Sequence, residues 1–356
     1  MSLLQLPPET LIQIFDCVGS SYFRSDLSRL TVCKQWSKFA RAACFRDFYV
    51  TQKTLRRLLS SPYLESSLPL LKDSVEILDL DLKGFEDWGS ISLSRRDSRD
   101  INVLDASPWH GPPGCAVRTA WTTQLNNDLL YLATITKQSR KLRTLRIRAT
   151  SELHPQLRLL ERRDYLFLPT IRAFLLASNL TSLELDLCGT QLISHQSQEH
   201  GEGFHVCTTI AALLTKLRRL RLRMRSICAD VLKPSQNSTN LRLNEVLINL
   251  SLSNESPQIT SAAHATCCDS SIGGLFQLKA DMEKQAQVLV GQMAAPKIVR
   301  ILTHALPSLE MRAFDVLTGR NVKLSEGAEW DDDGETIEDQ VSDGEPETDL
   351  FSDDDE

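Results

Sequence analysis

The stretch Leu180–Leu187, LTSLELDL, decides the fold expected for the middle of this chain. Its leucines alternate with Glu184 and Asp186, and alternation with a period of two is typical of a β-strand with one apolar face. Two further stretches, LRTLRIRA at 142–149 and LRRLRLRM at 217–224, have the same form, Leu-x-x-Leu-x-Leu. The sequence therefore predicts a sheet built from similar strands.

Six segments of this form occur between residues 54 and 324. They are Val75-Leu78-Leu80, Leu142-Leu145-Ile147, Leu180-Leu183-Leu185, Leu217-Leu220-Leu222, Leu247-Leu250-Leu252 and Leu306-Leu309-Met311. Helical stretches precede several of them, at Asn126 to Lys137, Pro169 to Ala177 and Cys207 to Thr215. Alternating helices and strands of this kind resemble leucine-rich repeats. Because the central leucines lie 67, 38, 37, 30 and 59 residues apart, the array resembles an irregular form of that family.

The resemblance implies an α/β (or α+β) solenoid with a concave parallel sheet. We expect loops near 83–118, 188–205, 226–240 and 254–274, and a final strand and turn between Phe314 and Trp330 that cap the array. The residues between the leucines would line the concave face, with sign alternating from strand to strand: Asp79 and Asp81, Arg146 and Arg148, Glu184 and Asp186, Arg221 and Arg223. One interpretation is a ladder of cross-strand ion pairs. The other is a target-binding floor formed by Arg146, Arg148, Glu184, Asp186, Arg221 and Arg223.

Charge divides the chain sharply. Residues 326–356 carry 16 acidic side chains and no Lys or Arg, whereas the other 325 residues carry 30 acidic and 40 basic groups. A segment this acidic and poor in apolar residues is expected to be disordered. A further hypothesis is that this tail folds back and screens Arg221 and Arg223 when no target is bound.

The first fifty residues predict three short helices. Leu6-Pro7-Pro8-Glu9 suits a helix start, because proline fits the first turn and Glu9 complements the helix dipole. Six of the eight residues from Leu11 to Val18 are apolar. That is more than one face of a surface helix needs, so we expect a partner to cover part of it.

These fifty residues resemble an F-box. The matching motifs are Leu6-Pro7-Pro8-Glu9, Ile14-Phe15, Asp26-Leu27 and Val32-Cys33-Lys34-Gln35-Trp36. The resemblance covers about residues 2–48 and implies a domain at 1–50 that binds a Skp-family adaptor and, through it, a cullin scaffold. Carried over by position, the adaptor contacts would be Leu6, Pro7, Glu9, Leu11, Ile14, Phe15, Leu27, Leu30, Val32, Cys33, Lys34 and Trp36.

The resemblance implies the substrate-recognition subunit of an SCF-type cullin E3 ubiquitin ligase, with a non-catalytic role and an unidentified protein target. The alternative is an F-box or leucine-rich-repeat scaffold that acts without ubiquitin transfer. We expect an intracellular chain in the cytoplasm or nucleus, since no apolar run is long enough for a membrane span and none resembles a signal peptide.

Other functional patterns are weak. Six basic residues lie between Lys216 and Arg225, but no aromatics are interleaved to stack bases, so we do not expect nucleic acid as a partner. His195, His200 and His205, with Cys207, do not have zinc-ligand spacing, and we expect a solvated loop there and no metal or cofactor. The nine cysteines are expected to be reduced, small buried hydrophobes. No nucleotide-binding or nucleophile motif is present, so no catalytic residue is predicted.

Overall fold

The chain has a mixed α/β fold with one large, mostly parallel sheet. This computed structural model describes residues 5–84, 113–150, 164–193, 205–235, 240–252, 264–268, 274–305, 310–325 and 327–337. Within those ranges the sheet has ten strands in the order β1-β2-β3-β5-β7-β8-β9-β10-β11-β12, and β4 and β6 form a separate pair. The first seven strands of the large sheet run parallel, and the last three pair antiparallel.

The strands are short, with two to eight residues each. Their bounds are β1 Asp47–Thr51, β2 Ile77–Leu82, β3 Thr144–Ala149, β4 Leu166–Phe167, β5 Ser182–Leu187, β6 Leu192–Ile193, β7 Arg219–Met224, β8 Glu245–Asn249, β9 Ile298–Ala305, β10 Glu310–Asp315, β11 Arg320–Lys323 and β12 Glu335–Thr336.

Three helices make up the amino-terminal unit, and the rest lie between strands. Their bounds are α1 Pro8–Val18, α2 Ser20–Ser25, α3 Lys34–Arg46, α4 Gln52–Leu59, α5 Leu64–Ser74, α6 Pro113–Lys137, α7 Leu168–Leu175, α8 Val206–Ala211 and α9 Gly274–Val290. Short 3₁₀ turns cover Leu27–Leu30 and Ala229–Leu232. None of the helices in the described ranges has the length and apolar character needed to cross a bilayer.

The leucines of the repeated motif form the main core. Leu145, Leu183 and Leu220 are fully buried and belong to one cluster with side chains of α6, α7, α8 and α9. The parallel register places these leucines side by side, so each strand extends the same apolar layer. The opposite face of the sheet is left for the charged residues that alternate with them.

One predicted strand register was wrong. Leu247 was expected to point inward, but it packs in a second cluster on the other face, whereas Val246 and Ile248 join the main core. The motif therefore begins at Leu243, which is fully buried, and reads Leu243-x-x-Val246-x-Ile248. A displacement by an odd number of residues reverses the faces because the side-chain period is two.

The boundaries of several predicted elements also change. β1 begins at Asp47 and pairs with β2, so the sheet starts before the expected domain boundary at residue 50. Strand β9 was not predicted, because Pro296-x-x-Val299-x-Ile301 takes the place of the leucine motif. Helix α6 begins at Pro113, inside the loop expected at 83–118. Residues 85–112, most of that expected loop, lie outside the described residues.

The carboxyl-terminal end of the sheet is a meander. β10 and β11 pair antiparallel around the turn at Val316–Gly319, in the region where a cap was expected. Residues 327–337, which were expected to be disordered, instead lie against the sheet, and β12 pairs with β11. Residues 338–356 lie outside the described part. The disorder prediction is therefore corrected for 327–337, where contacts with partly buried arginines offset the charge repulsion.

A buried asparagine joins helix α6 to the segment 165–170. Asn126, on α6, is fully buried, and its Nδ2 donates 2.8 Å hydrogen bonds to the carbonyls of Thr122 and Tyr165. Its Oδ1 accepts from the backbone N–H of Phe167 at 2.8 Å and from the Thr170 hydroxyl at 2.9 Å. All four hydrogen-bonding positions of this amide are therefore used.

Candidate functional site

The amino-terminal unit has a small core of its own. Leu11, Phe15 and Phe23 are almost fully buried, and together with Ala40, Ala43 and Cys44 they form a cluster separate from the main core. The Trp36 ring meets the Phe15 ring edge-on at a centroid distance of 4.6 Å, and its indole N–H donates to the Arg29 carbonyl at 2.5 Å. Phe15 and Trp36 thus have an internal packing role.

The residues predicted to contact an adaptor divide by exposure. Leu11 and Phe15 are 0% and 1% exposed, so the prediction that they contact a partner is corrected: they hold α1 against α3. The half-buried members are Leu6, Ile14, Leu30, Cys33 and Trp36, and the exposed ones are Pro7, Glu9, Leu27, Val32 and Lys34. Leu27 and Val32 are 62% and 64% exposed, so two large aliphatic side chains a few residues apart face solvent.

Salt bridges hold this unit against the sheet. The Arg46 guanidinium contacts Asp16 of α1 at 3.1 Å and Glu76, just before β2, at 2.9 Å. The Ser20 hydroxyl also donates to the Asp47 carboxylate at 2.8 Å. These contacts join the amino-terminal helices to β1 and to the start of β2.

The alternating charges do form a cross-strand ladder. Arg148 on β3 contacts Asp79 on β2 at 3.1 Å, and Arg146 contacts Glu184 on β5 at 3.3 Å. Asp81 accepts a 2.6 Å hydrogen bond from the Tyr49 hydroxyl. Ion pairing between neighbouring strands therefore accounts for the sign alternation at this end of the face, as the first interpretation predicts.

The pair formed by Arg223 and Asp186 is the most enclosed of the ladder. Arg223 Nε lies 2.8 Å from Asp186 Oδ1, and its Nη2 lies 2.5 Å from Oδ2, so the contact is bidentate. The two side chains are 13% and 12% exposed. Two parallel charge-assisted hydrogen bonds of this kind are both strong and directional.

Arg221 departs from the ladder. It does not pair with its cross-strand neighbour Glu184 in any described contact. Its Nε donates to Glu245 Oε1 at 2.9 Å, and its Nη2 lies 2.5 Å from Asp331 Oδ2 in the acidic tail. Arg219 contacts the same two carboxylates at 2.6 and 3.4 Å. The basic end of the face is thus neutralised by Glu245 of β8 and Asp331 of the tail, with a longer contact of 4.0 Å between Arg221 and Glu329.

Residues 327–337, which we call the covering segment, also make apolar contacts. Trp330 and Ala328 pack against a small cluster on this face that includes Leu247, Leu302 and Ala313. The Arg223 guanidinium lies over the Trp330 ring, 5.3 Å from its centroid. The backbone carbonyl of Asp332 accepts a 2.6 Å hydrogen bond from Arg300. The beginning of the tail therefore lies over Arg221 and Arg223, as hypothesised for the whole tail.

The electrostatics of this contact favour charged partners. Burial acts to raise the pKa of Asp331, but its hydrogen bond to Arg221 and the nearby positive charges prevail, and the net pKa is lowered from the usual 3.8. Burial acts to lower the pKa of Arg221, and its hydrogen bonds to Glu245 and Asp331 prevail, so the net pKa is raised. Both pKa shifts mean that the ionised forms of Asp331 and Arg221 are favoured in this contact.

Sequence reasoning missed Glu245, Asp331 and Arg300 as members of this site. Glu245 begins a strand whose register was misjudged, and Arg300 lies on the strand that was not predicted. Asp331 is one of many tail acids, and composition alone could not single it out.

His195 and His200 lie outside the described residues; His205 is half-buried, not solvated, and its Nδ1 lies 3.6 Å from Cys228 Sγ.

The comparisons with known proteins add no relative. No protein-family model matches this chain, and no curated protein matches it.

Proposed function

We propose that this chain is the substrate receptor of an SCF-type ubiquitin ligase, which binds a Skp-family adaptor through residues 5–36 and a protein target through the charged face of the sheet. The observation that carries the proposal is the pair of exposed aliphatic side chains Leu27 and Val32, on a helical unit whose sequence resembles an F-box. Because this unit already has a core of its own, Leu27 and Val32 have no packing role inside it.

The adaptor surface consists of the exposed members of the predicted set together with half-buried Leu6, Ile14 and Leu30. Exposed proline and aliphatic side chains lose little conformational entropy on binding. The removal of their apolar area from water makes the free energy of binding more favourable. Leu11, Phe15 and Trp36 support this surface from below. The role of the chain is to position a target near a ubiquitin-carrying enzyme, so any rate gain would come from proximity.

The firm attachment of the helical unit to the sheet supports the same proposal. Proximity is effective only if the two binding surfaces keep a fixed relative geometry. Arg46 bridges α1 to the start of β2 through Asp16 and Glu76, which restricts motion between the two surfaces. A target on the sheet would then be presented in a defined position relative to the adaptor.

Target binding is proposed for the basic end of the charged face. Arg146 and Arg148 are satisfied by acids of neighbouring strands, and Arg223 by Asp186. Arg219 and Arg221 depend in part on Asp331, a residue of the tail, and an acidic target segment could replace it. Because a target carboxylate could take the place of Asp331, Arg219 and Arg221 are the arginines of this face that we propose as target contacts.

Co-purification of the full chain with a Skp-family adaptor tests the first half of the proposal. The double variant Leu27→Asp and Val32→Asp should stay folded, because both side chains are exposed, and should lose the complex. The control is Phe276→Asp on α9, an exposed aromatic at 87%, which should keep it. An unchanged complex in the double variant would refute the assignment of this surface.

Autoubiquitylation in a complex reconstituted with the adaptor, the cullin scaffold and a ubiquitin-carrying enzyme separates the two candidate functions. A ligase subunit should become modified in a manner that requires Leu27 and Val32. Adaptor binding without any modification would favour the non-ligase scaffold instead.

A further inference from the structure

One histidine and three cysteines from three separate segments converge near the start of α8. His205 directly precedes this helix, and Cys207 lies in its first turn. Cys228 directly precedes the 3₁₀ turn Ala229–Leu232, and Cys268 follows the bridge at Thr266. The potential ligand atoms of these four residues all lie within 4.8 Å of one another.

Two of the distances between these atoms match the edges of a tetrahedral zinc site. Cys207 Sγ lies 3.7 Å from Cys268 Sγ, and Cys228 Sγ lies 3.6 Å from His205 Nδ1. A tetrahedral ion with Zn–S near 2.3 Å and Zn–N near 2.0 Å places two sulfurs about 3.8 Å apart, and a sulfur and a nitrogen about 3.6 Å apart. A disulfide would instead need a sulfur–sulfur distance of about 2.05 Å.

The surroundings suit a structural ion. Cys207 and Cys228 are buried, at 0% and 5% exposure, whereas His205 and Cys268 are half-buried. Metal ligands must be deprotonated, so the three cysteines would bind the ion as thiolates. The Asp230 carboxylate lies 3.9 Å from Cys228 Sγ and accepts from that thiol.

We propose that His205, Cys207, Cys228 and Cys268 bind a single zinc ion. Three thiolates and one imidazole in a tetrahedral arrangement form a ligand set typical of structural zinc. With four protein ligands no position remains open for water or substrate, so the ion has no hydrolytic role. The proposal is independent of adaptor binding.

The ion would cross-link three segments that are far apart in the sequence. His205 and Cys207 precede β7, Cys228 follows β7, and Cys268 follows β8. Residues 253–263 and 269–273, on either side of the Cys268 segment, lie outside the described ranges. Cross-linking these positions would hold the segments that follow β7 and β8 against the start of α8.

Metal analysis of the full chain, purified under reducing conditions and without metal-affinity resin, is the direct test. We expect about one zinc per chain, as for other four-ligand structural sites. Cys268→Ser should reduce this to a small fraction, and the adjacent Cys267→Ser, at a half-buried position outside the four ligands, should leave it unchanged. Replacement by cobalt(II) should give the visible spectrum of a tetrahedral thiolate site in the natural chain.

Alkylation of the natural chain keeps the test decisive even if Cys268→Ser fails to fold. With N-ethylmaleimide and mass spectrometry, Cys207, Cys228 and Cys268 should be modified slowly until a chelator is added, whereas exposed Cys17 should be modified equally in both conditions. Several results would overturn the proposal. They are a chain that binds no zinc when zinc is supplied, alkylation that the chelator does not change, and zinc retained by Cys268→Ser, which would mark an adventitious ion only.

Discussion

Arg221 Nη2 lies 2.5 Å from Asp331 Oδ2, and this contact attaches the beginning of the acidic tail to the charged face of the sheet. The arginine side chain is 10% exposed, so it cannot depend on water for its hydrogen bonds. Glu245 satisfies its Nε, and the tail satisfies its Nη2. A target that binds Arg221 must therefore supply a carboxylate or another anion in place of Asp331.

Asp331→Asn should loosen the covering segment. The loss of a charge-assisted hydrogen bond, discounted because Asp331 is 28% exposed, should cost about 1 kcal/mol. Hydrogen exchange at residues 327–337 should speed up by about fivefold. Asp333→Asn is the matched control, because that side chain is fully exposed and its contact with Arg300 is long, at 4.0 Å. It should leave exchange nearly unchanged.

The same contact predicts a pH dependence. The pKa of Asp331 in the folded chain is below the usual 3.8. The contact therefore stabilises the covering segment at pH values above 3.8, and that stability is lost as the pH falls below 3.8 towards the lower folded pKa. Hydrogen exchange of residues 327–337 at neutral pH tests this assignment. Equal protection in the natural chain and in Asp331→Asn would contradict it.

Deletion of residues 326–356 should raise the affinity for an acidic probe such as a polyglutamate peptide. At low salt we expect about a fivefold gain, because one carboxylate contact of about 1 kcal/mol no longer competes, and the gain should fade as salt rises. Deletion of 338–356 alone retains Asp331 and should give a smaller gain. Fluorescence anisotropy of a labelled peptide measures both; equal affinities for all three chains at every salt concentration would end the covering hypothesis.

Arg223→Ala should destabilise the fold more than it weakens target binding. It leaves the Asp186 carboxylate enclosed without its bidentate partner, at a cost of about 3 kcal/mol. The double change Arg223→Ala and Asp186→Ala should recover part of the loss, because no unpaired charge remains. Urea unfolding measures the stability of these two variants and of the control Arg146→Ala. Arg146→Ala, whose side chain is 38% exposed, should cost less than 1 kcal/mol by the usual value of about 0–1 for surface pairs.

Asn126→Ala should be one of the most damaging polar substitutions in the array. It leaves the Thr122 and Tyr165 carbonyls and the Phe167 N–H without the amide that they contact, and we expect a loss of about 2–4 kcal/mol. Asn179→Ala removes a single exposed hydrogen bond to Arg140 and should cost less than about 1 kcal/mol. Similar unfolding midpoints for the two variants would show that the Asn126 network is not an important tie between α6 and the segment 165–170.

Much of the sheet could be predicted because its signal is local. The leucine alternation marked β2, β3, β5 and β7 and placed the charges of Arg146, Glu184 and Arg223 on one face. The prediction failed where that signal changes. Val246 and Ile248 replace leucines on β8, and Pro296 begins the motif of β9.

The site was harder to predict because its members come together only through the fold. Asp331 meets Arg221 across several strands, and composition alone suggests that such an acidic segment is disordered. Cys228 and Cys268 lack a Cys-x-x-Cys spacing, and helix and strand positions are needed to bring them to His205. Leu11 and Phe15 matched a binding motif, but a motif does not distinguish the supporting side of a helix from its exposed side.

Hydrogen exchange of the full chain with and without a Skp-family adaptor tests the central claim most directly. We predict a one-to-one complex in which slower exchange is concentrated in residues 5–36, around exposed Leu27 and Val32, with little change in β3, β5 and β7. Leu27→Asp with Val32→Asp should abolish that protection. No protection in the natural chain, or protection confined to the sheet, would contradict the assignment of the amino-terminal unit as the adaptor-binding surface.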